Sequence, residues 1–176
     1  VDLATGFISL VVSSRSLEDI TSIVASPTGQ LLASFQAPVS SQVYSIERID
    51  LLSGERIALV SGDRPELAAH RMLALSERKL LIAGNESSGR IWNVDVDSGD
   101  ITPVAGGGES PVSFNPRESL QSRFGRVIDL VLDSGGSILA ASAAEAGVPP
   151  LVFRADLAAG TVTAVAGGGT RSIGTR

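Results

Sequence analysis

The sequence predicts an all-β protein: a β-propeller of four-stranded antiparallel blades, present as an incomplete ring of about three and a half blades. Three observations carry that expectation. An Asp is followed four residues later by a Gly at Asp2–Gly6, Asp50–Gly54, Asp95–Gly99 and Asp156–Gly160, and a strand-like run follows each Gly. The four Asp residues stand 48, 45 and 61 positions apart, close to the period of about 40–50 residues at which strand-rich units build propeller blades. Two copies then close on the same Val-Ala-Gly-Gly-Gly string, at 104–108 and 165–169.

Taken in chain order, residues 1–12 read as the outer strand of a preceding blade, entered through the Asp2-to-Gly6 turn. The first whole blade is 13–60. Its apolar runs at 20–25 and 31–35 flank Ser26-Pro27-Thr28-Gly29-Gln30, a hairpin signal. A third strand at 43–50 and a fourth after Gly54 complete it. The second blade, 61–105, repeats the pattern with runs at 71–75 and 80–83 around Ser76-Glu77-Arg78-Lys79, then 90–95 and 101–105. The third blade is 106–166. A long loop at 106–126 leads into runs at 127–132 and 138–141, then 151–156 and 161–166. Residues 167–176 read as the connection to a missing blade. No amphipathic helical period continues past six or seven residues.

The shared turn has a structural explanation. An Asp carboxylate accepts backbone N–H bonds in the turn it begins, and Gly supplies the positive φ that closes it. Asp2, Asp50, Asp95 and Asp156 are therefore read as turn builders with Gly6, Gly54, Gly99 and Gly160, not as catalytic acids.

Composition narrows the function. The chain has 176 residues, a formal net charge of −5 and no basic run, which speaks against nucleic acid as a partner, since binding a phosphate backbone needs a basic footprint. No apolar stretch approaches the roughly 20 residues of a membrane helix, so membrane insertion is not expected. With no Cys, disulfides, thiolate nucleophiles and Cys-based metal sites are excluded. The chain starts at Val1, just before a turn of the repeat, and reads as a piece of a longer polypeptide; targeting signals are then uninformative.

Arg90-Ile91-Trp92-Asn93-Val94-Asp95 through Ala105-Gly106-Gly107-Gly108 resembles a blade of the NHL-repeat propellers, as does Leu120-Gln121-Ser122-Arg123-Phe124 followed by 125–133 and Gly136. The resemblance spans essentially the whole chain. It departs at Val60-Ser61-Gly62-Asp63, where the Gly-rich close is missing, and at Ser76-Glu77-Arg78-Lys79, which lacks the turn Gly. It implies a propeller scaffold. Related propellers include lactonase-like hydrolases and lyases, so it leaves enzyme against non-enzyme open.

Three whole blades and one strand do not close a ring, so the expected partners include the remaining blades of a parent chain or a second copy. The candidate ligand-facing residues are Arg117, Glu118, Arg123 and Arg126 of the long loop, with His70 at an inner-strand start. The alternative is that Phe114 and Phe124 pin the loop between blades while its charges are solvated. His70, the only His, lacks a convincing set of co-ligands, since the other inner-strand starts offer Asp19 and Arg126. The Gly-Gly-Gly runs lack the Lys-Ser/Thr of a phosphate loop and read as inter-blade turns. Trp92 reads as packing between blades. Asn85-Glu86-Ser87 fits the N-glycosylation pattern in a hairpin loop, a slight pointer to an extracellular or cell-surface parent. The leading expectation is a non-catalytic scaffold binding protein, peptide or glycan through its loop face, without a cofactor. The alternatives are a lactonase-like hydrolase or lyase, with Ca²⁺ or Zn²⁺ in a complete ring, and an architectural part of a larger assembly.

Overall fold

The structure, a computed structural model, describes residues 19–37, 43–84, 89–145 and 147–168. The expected strand before residue 13 with Asp2 and Gly6, the Asn85 acceptor and the tail from 169 lie outside them. The first sheet runs β1 (Asp19–Ala25), β2 (Leu31–Gln36), β3 (Tyr44–Ile49) and β4 (Arg56–Gly62), antiparallel and in chain order. The second repeats this with β5 (Ala69–Ala74), β6 (Lys79–Gly84), β7 (Ile91–Asp95) and β8 (Ile101–Ala105). In the long loop, β9 (Ser110–Pro111), β10 (Arg117–Glu118) and β11 (Ser122–Arg123) are two-residue strands. β9 pairs parallel with β11. The third sheet is β12 (Val127–Leu132), β13 (Ile138–Ser142), β14 (Leu151–Asp156) and β15 (Thr161–Gly167), with β10 added outside β15. β5 lies between β1 and β12, so the first strands of the three sheets stand side by side and the sheets radiate from them. This is an incomplete β-propeller.

Local chemistry closes the hairpins. Asp50 Oδ1 accepts from the Leu52 and Ser53 N–H groups at 2.9 and 2.7 Å, and Gly54, at φ 72°, donates to the Asp50 carbonyl at 2.8 Å. Asp95 holds Asp97, Ser98 and Gly99 in the same way, and Asp156 Oδ1 accepts from Ala159 at 2.9 Å ahead of Gly160. Amide donation from Ser53 and Leu52 keeps the Asp50 carboxyl below its ordinary range, and donation from Ser98 and Asp97 does so for Asp95. These carboxylates are occupied as turn acceptors.

Period-two alternation then splits the second strand of the middle sheet between two cores. Leu80 and Ile82 of β6 pack toward the first sheet with Leu32, Ile46 and Val60, while Leu81 and Ala83 pack toward the third with Ile138, Ala140 and Phe153. A strand buried on both faces must be apolar throughout, which is why this stretch reads as an unbroken run. Fully burying each such Leu or Ile is worth about 1.5–3 kcal/mol. Trp92, 8% exposed, belongs to the core between the first and second sheets, with the Arg90 guanidinium 5.5 Å from its ring centroid.

The turn that lacks its Gly holds two blades together. Glu77 Oε1 reaches back to the β1–β2 turn, where it accepts from Ser26 Oγ at 2.9 Å, Thr28 N–H at 3.2 Å and Thr28 Oγ1. The Thr28 and Ser26 hydroxyls hold the Glu77 carboxyl below its ordinary 4.5. A carboxyl depressed on folding stabilises the fold above its unfolded-state value, and that stabilisation is lost as the pH falls through the folded-state value. Glu77→Gln should therefore lower stability at neutral pH. Urea titrations at decreasing pH should show the gap to wild type closing through the carboxylate range; a pH-independent gap would contradict the latch.

Candidate functional site

The inner wall formed by β1, β5 and β12 is the place where three blades contribute to one surface. Each of these strands carries a bulge at the same point, between Ile20 and Ser22, between Ala69 and Arg71, and between Val127 and Asp129. A bulge leaves its extra residue out of the ladder, here Thr21, His70 and Ile128. The freed groups find partners at the axis: Arg71 Nε donates to the Ile128 carbonyl at 2.7 Å, and another Arg71 nitrogen donates to the His70 carbonyl at 2.8 Å. Arg71 thereby ties the second blade to the third. Thr21 Oγ1 donates to Ser34 Oγ at 3.0 Å, and Ser34 Oγ donates to the Leu67 carbonyl at 3.2 Å, which ties the first blade to the connection that follows it.

Beside this seam lies an open cavity of about 500 Å³, lined by residues 20–23 of β1, Arg71 and Met72 of β5, and Asp129 of β12. Arg71 and Asp129 form an exposed ion pair at 3.9 Å, a geometry worth under about 1 kcal/mol to stability. Ile20 and Ile23 are 41% and 62% exposed. The wall therefore sets exposed branched apolar side chains next to a pair of opposite charges. A second cavity, about 350 Å³, sits at the edge of the first sheet beside Arg48, Asp50 and Glu55; there Asp50 is already engaged in its turn.

The residues singled out from the sequence are spread over this architecture. His70 is the half-buried bulge residue of β5, and Arg126 is exposed just before β12, with its carbonyl accepting from Ala143 at 2.8 Å. Both stand at inner-strand starts. Arg117 and Glu118 form β10, paired with Val162 and Thr161 of β15. That is the opposite edge of a five-stranded sheet, about 19 Å away at roughly 4.8 Å per strand. Arg123 lies on β11 within the loop. The loop's charges are thus not gathered at one mouth. Phe124 is fully buried with its ring centroid 4.3 Å from that of Phe153, whereas Phe114 is 67% exposed; only one of the two aromatics pins the loop. The sequence reading passed over Arg71 and Asp129. Their signal was a charge interrupting an inner-strand apolar run in two successive blades.

No known family profile and no curated protein sequence matches this chain. Among solved structures, the chain is similar to puromycin hydrolase, with 14% identity over 88% of this chain and a TM-score of 0.53. A mutant of that hydrolase complexed with PGG gives 16% identity over the same share and a TM-score of 0.54. An oligogalacturonate lyase in complex with manganese matches 95% of this chain at 11% identity and a TM-score of 0.58. The chain spans 22% of the hydrolase and 46% of the lyase. At these identities the likeness is one of fold, and that fold is the β-propeller.

Proposed function

We propose that this chain is a propeller scaffold, of the NHL-like kind its blade sequences resemble, that binds a protein or peptide without catalysing a reaction on it. The observation that carries the reading is the inner wall: Ile20 and Ile23 stand exposed beside the Arg71–Asp129 pair, on a surface to which all three sheets contribute. Apolar anchors next to a polar pair suit an extended peptide, whose side chains fill the apolar positions while its backbone meets the charges. A glycan would favour an aromatic platform, and the described residues that line the inner-wall cavity include no aromatic. Hydrolase or lyase chemistry, named for the structural neighbours, would need acids, bases or metal ligands converging on one point. On this wall Asp129 pairs with Arg71, His70 stands half-buried in the β5 bulge, and the described residues hold no group of three or more His, Asp or Glu placed to bind a metal.

The test is selection from a random peptide display library on the immobilised chain, followed by affinity measurement with variants. Ile23→Asp changes an exposed side chain and is expected to weaken selected peptides by about tenfold or more, the scale of a moderate hot spot. Phe114→Asp, on the outer loop, is expected to leave affinity within about twofold. Equal binding by wild type and Ile23→Asp would move the recognition surface elsewhere.

A further inference from the structure

We infer that the open face of the third sheet is the seat of one further blade of the same repeat, supplied by a longer form of this polypeptide. The inference is independent of what the inner wall binds. The hairpin registers fix which residues are equivalent between blades. In the second sheet Leu73 pairs with Leu81, and Ala83 pairs with Ile91, which pairs with Ala105. In the third, Val131 pairs with Leu139, and Ala141 pairs with Val152, which pairs with Ala166. Position for position, Val131, Leu139, Ala141, Val152 and Ala166 repeat Leu73, Leu81, Ala83, Ile91 and Ala105.

That second-sheet set is the face that packs onto the third sheet. Leu81, Ala83, Ile91 and Ala105 are fully buried there, and Leu73 packs against the same core. Its counterpart in the third sheet is open: Val131 and Val152 are 49% and 37% exposed, beside a cavity of about 240 Å³ lined, apart from Asp129, by apolar residues of β12, β13 and β14. An apolar sheet face left to water is unfavourable in proportion to its area. What fits it is stated by the interface already formed: the second-sheet face is filled by Ile138, Ala140, Phe153, Ala155 and Val162, the preceding side of a blade. A second copy would have to offer its first sheet. On that preceding side, Glu47 pairs with Ala33 and Arg56 with Ile49, as Phe153 pairs with Ala140 and Val162 with Ala155 in the third sheet. An ion pair at 2.6 Å between Glu47 and Arg56 thus stands where the seat takes Phe153 and Val162, so a second copy is disfavoured and a further blade in the same polypeptide is the occupant.

The test extends the full chain after Arg176 with a copy of its own residues 116–168, which keeps the blade spacing because Gly167 occupies the place of Gly106. Docking of this added blade is expected to slow amide exchange in β12 and β14 by about tenfold or more and to raise Tm by about 4 °C or more. Val131→Asp with Val152→Asp should abolish both gains. An extended chain with unchanged exchange in β12 and β14 overturns the inference. So does an unextended chain that light scattering finds to be a dimer broken by the two Asp substitutions, since the occupant would then be a second copy. On the unextended chain, the double variant is expected to cut the fluorescence of the apolar dye ANS at least about twofold; no change would also overturn it.

Discussion

Gly106→Ala is expected to destabilise the protein by about 3 kcal/mol or more, a large share of the roughly 5–15 kcal/mol that holds a typical domain. Two costs combine. Gly106 sits at φ 82°, where a Cβ is strained by about 1 kcal/mol. That Cβ would also stand 1.9 Å from the Gly89 carbonyl oxygen and 2.6 Å from Phe124 Cζ. The first of these is backbone and cannot swing aside, so the connection from the second to the third sheet would have to shift. Gly99→Ala separates the two costs. It has nearly the same φ, 74°, with nothing within 4 Å of the added Cβ, so it should lose only about 1 kcal/mol. Urea denaturation of the two variants measures the difference. Equal losses would mean the Gly-Gly-Gly run is a turn without close packing.

Phe153→Ala is the second large effect, expected to cost about 3–5 kcal/mol, the range for removing a fully buried aromatic. Phe153 fills the core between the second and third sheets and meets the Phe124 ring at 4.3 Å and an interplanar angle of 31°. Its loss leaves a cavity bounded on one side by a loop, because Phe124 comes from the segment leading into β12. The damage should therefore spread: exchange protection should fall in β12 and in the loop, not only in β14. Phe114→Ala, on the same loop but 67% exposed, should change stability by less than about 0.5 kcal/mol. Thermal unfolding of the pair tests whether the loop is anchored at Phe124 alone.

The hairpins are legible in the sequence because turn chemistry is local. Ser26 to Gln30 and Asp133 to Ser137 each bring their own side-chain acceptors, as Asp133 Oδ1 does for the Gly135 and Ser137 amides at 2.8 and 3.0 Å. The apolar runs on either side are legible because both faces of a middle strand are buried. β9, β10 and β11 are not, since two residues carry no periodicity and their pairing is decided by where the third sheet lies. The same limit explains the site. Arg117 and Arg126 are close in sequence, yet the loop carries one to the outer edge of the sheet and leaves the other at the inner edge. Arg71 and Asp129 are far apart in sequence and meet because two bulges align. The Ser76 to Lys79 turn is irregular for a reason in another blade: Glu77 is used by Ser26 and Thr28.

The most direct test of the inner wall as recognition surface is photo-crosslinking of a selected peptide to benzoylphenylalanine placed at position 22 of β1 or at position 114 of the outer loop. The wall predicts crosslinks from Ser22 and none from Phe114, with Ser22 crosslinking suppressed by excess unlabelled peptide. Crosslinks from position 114 with none from 22 would place binding on the loop edge and contradict the account.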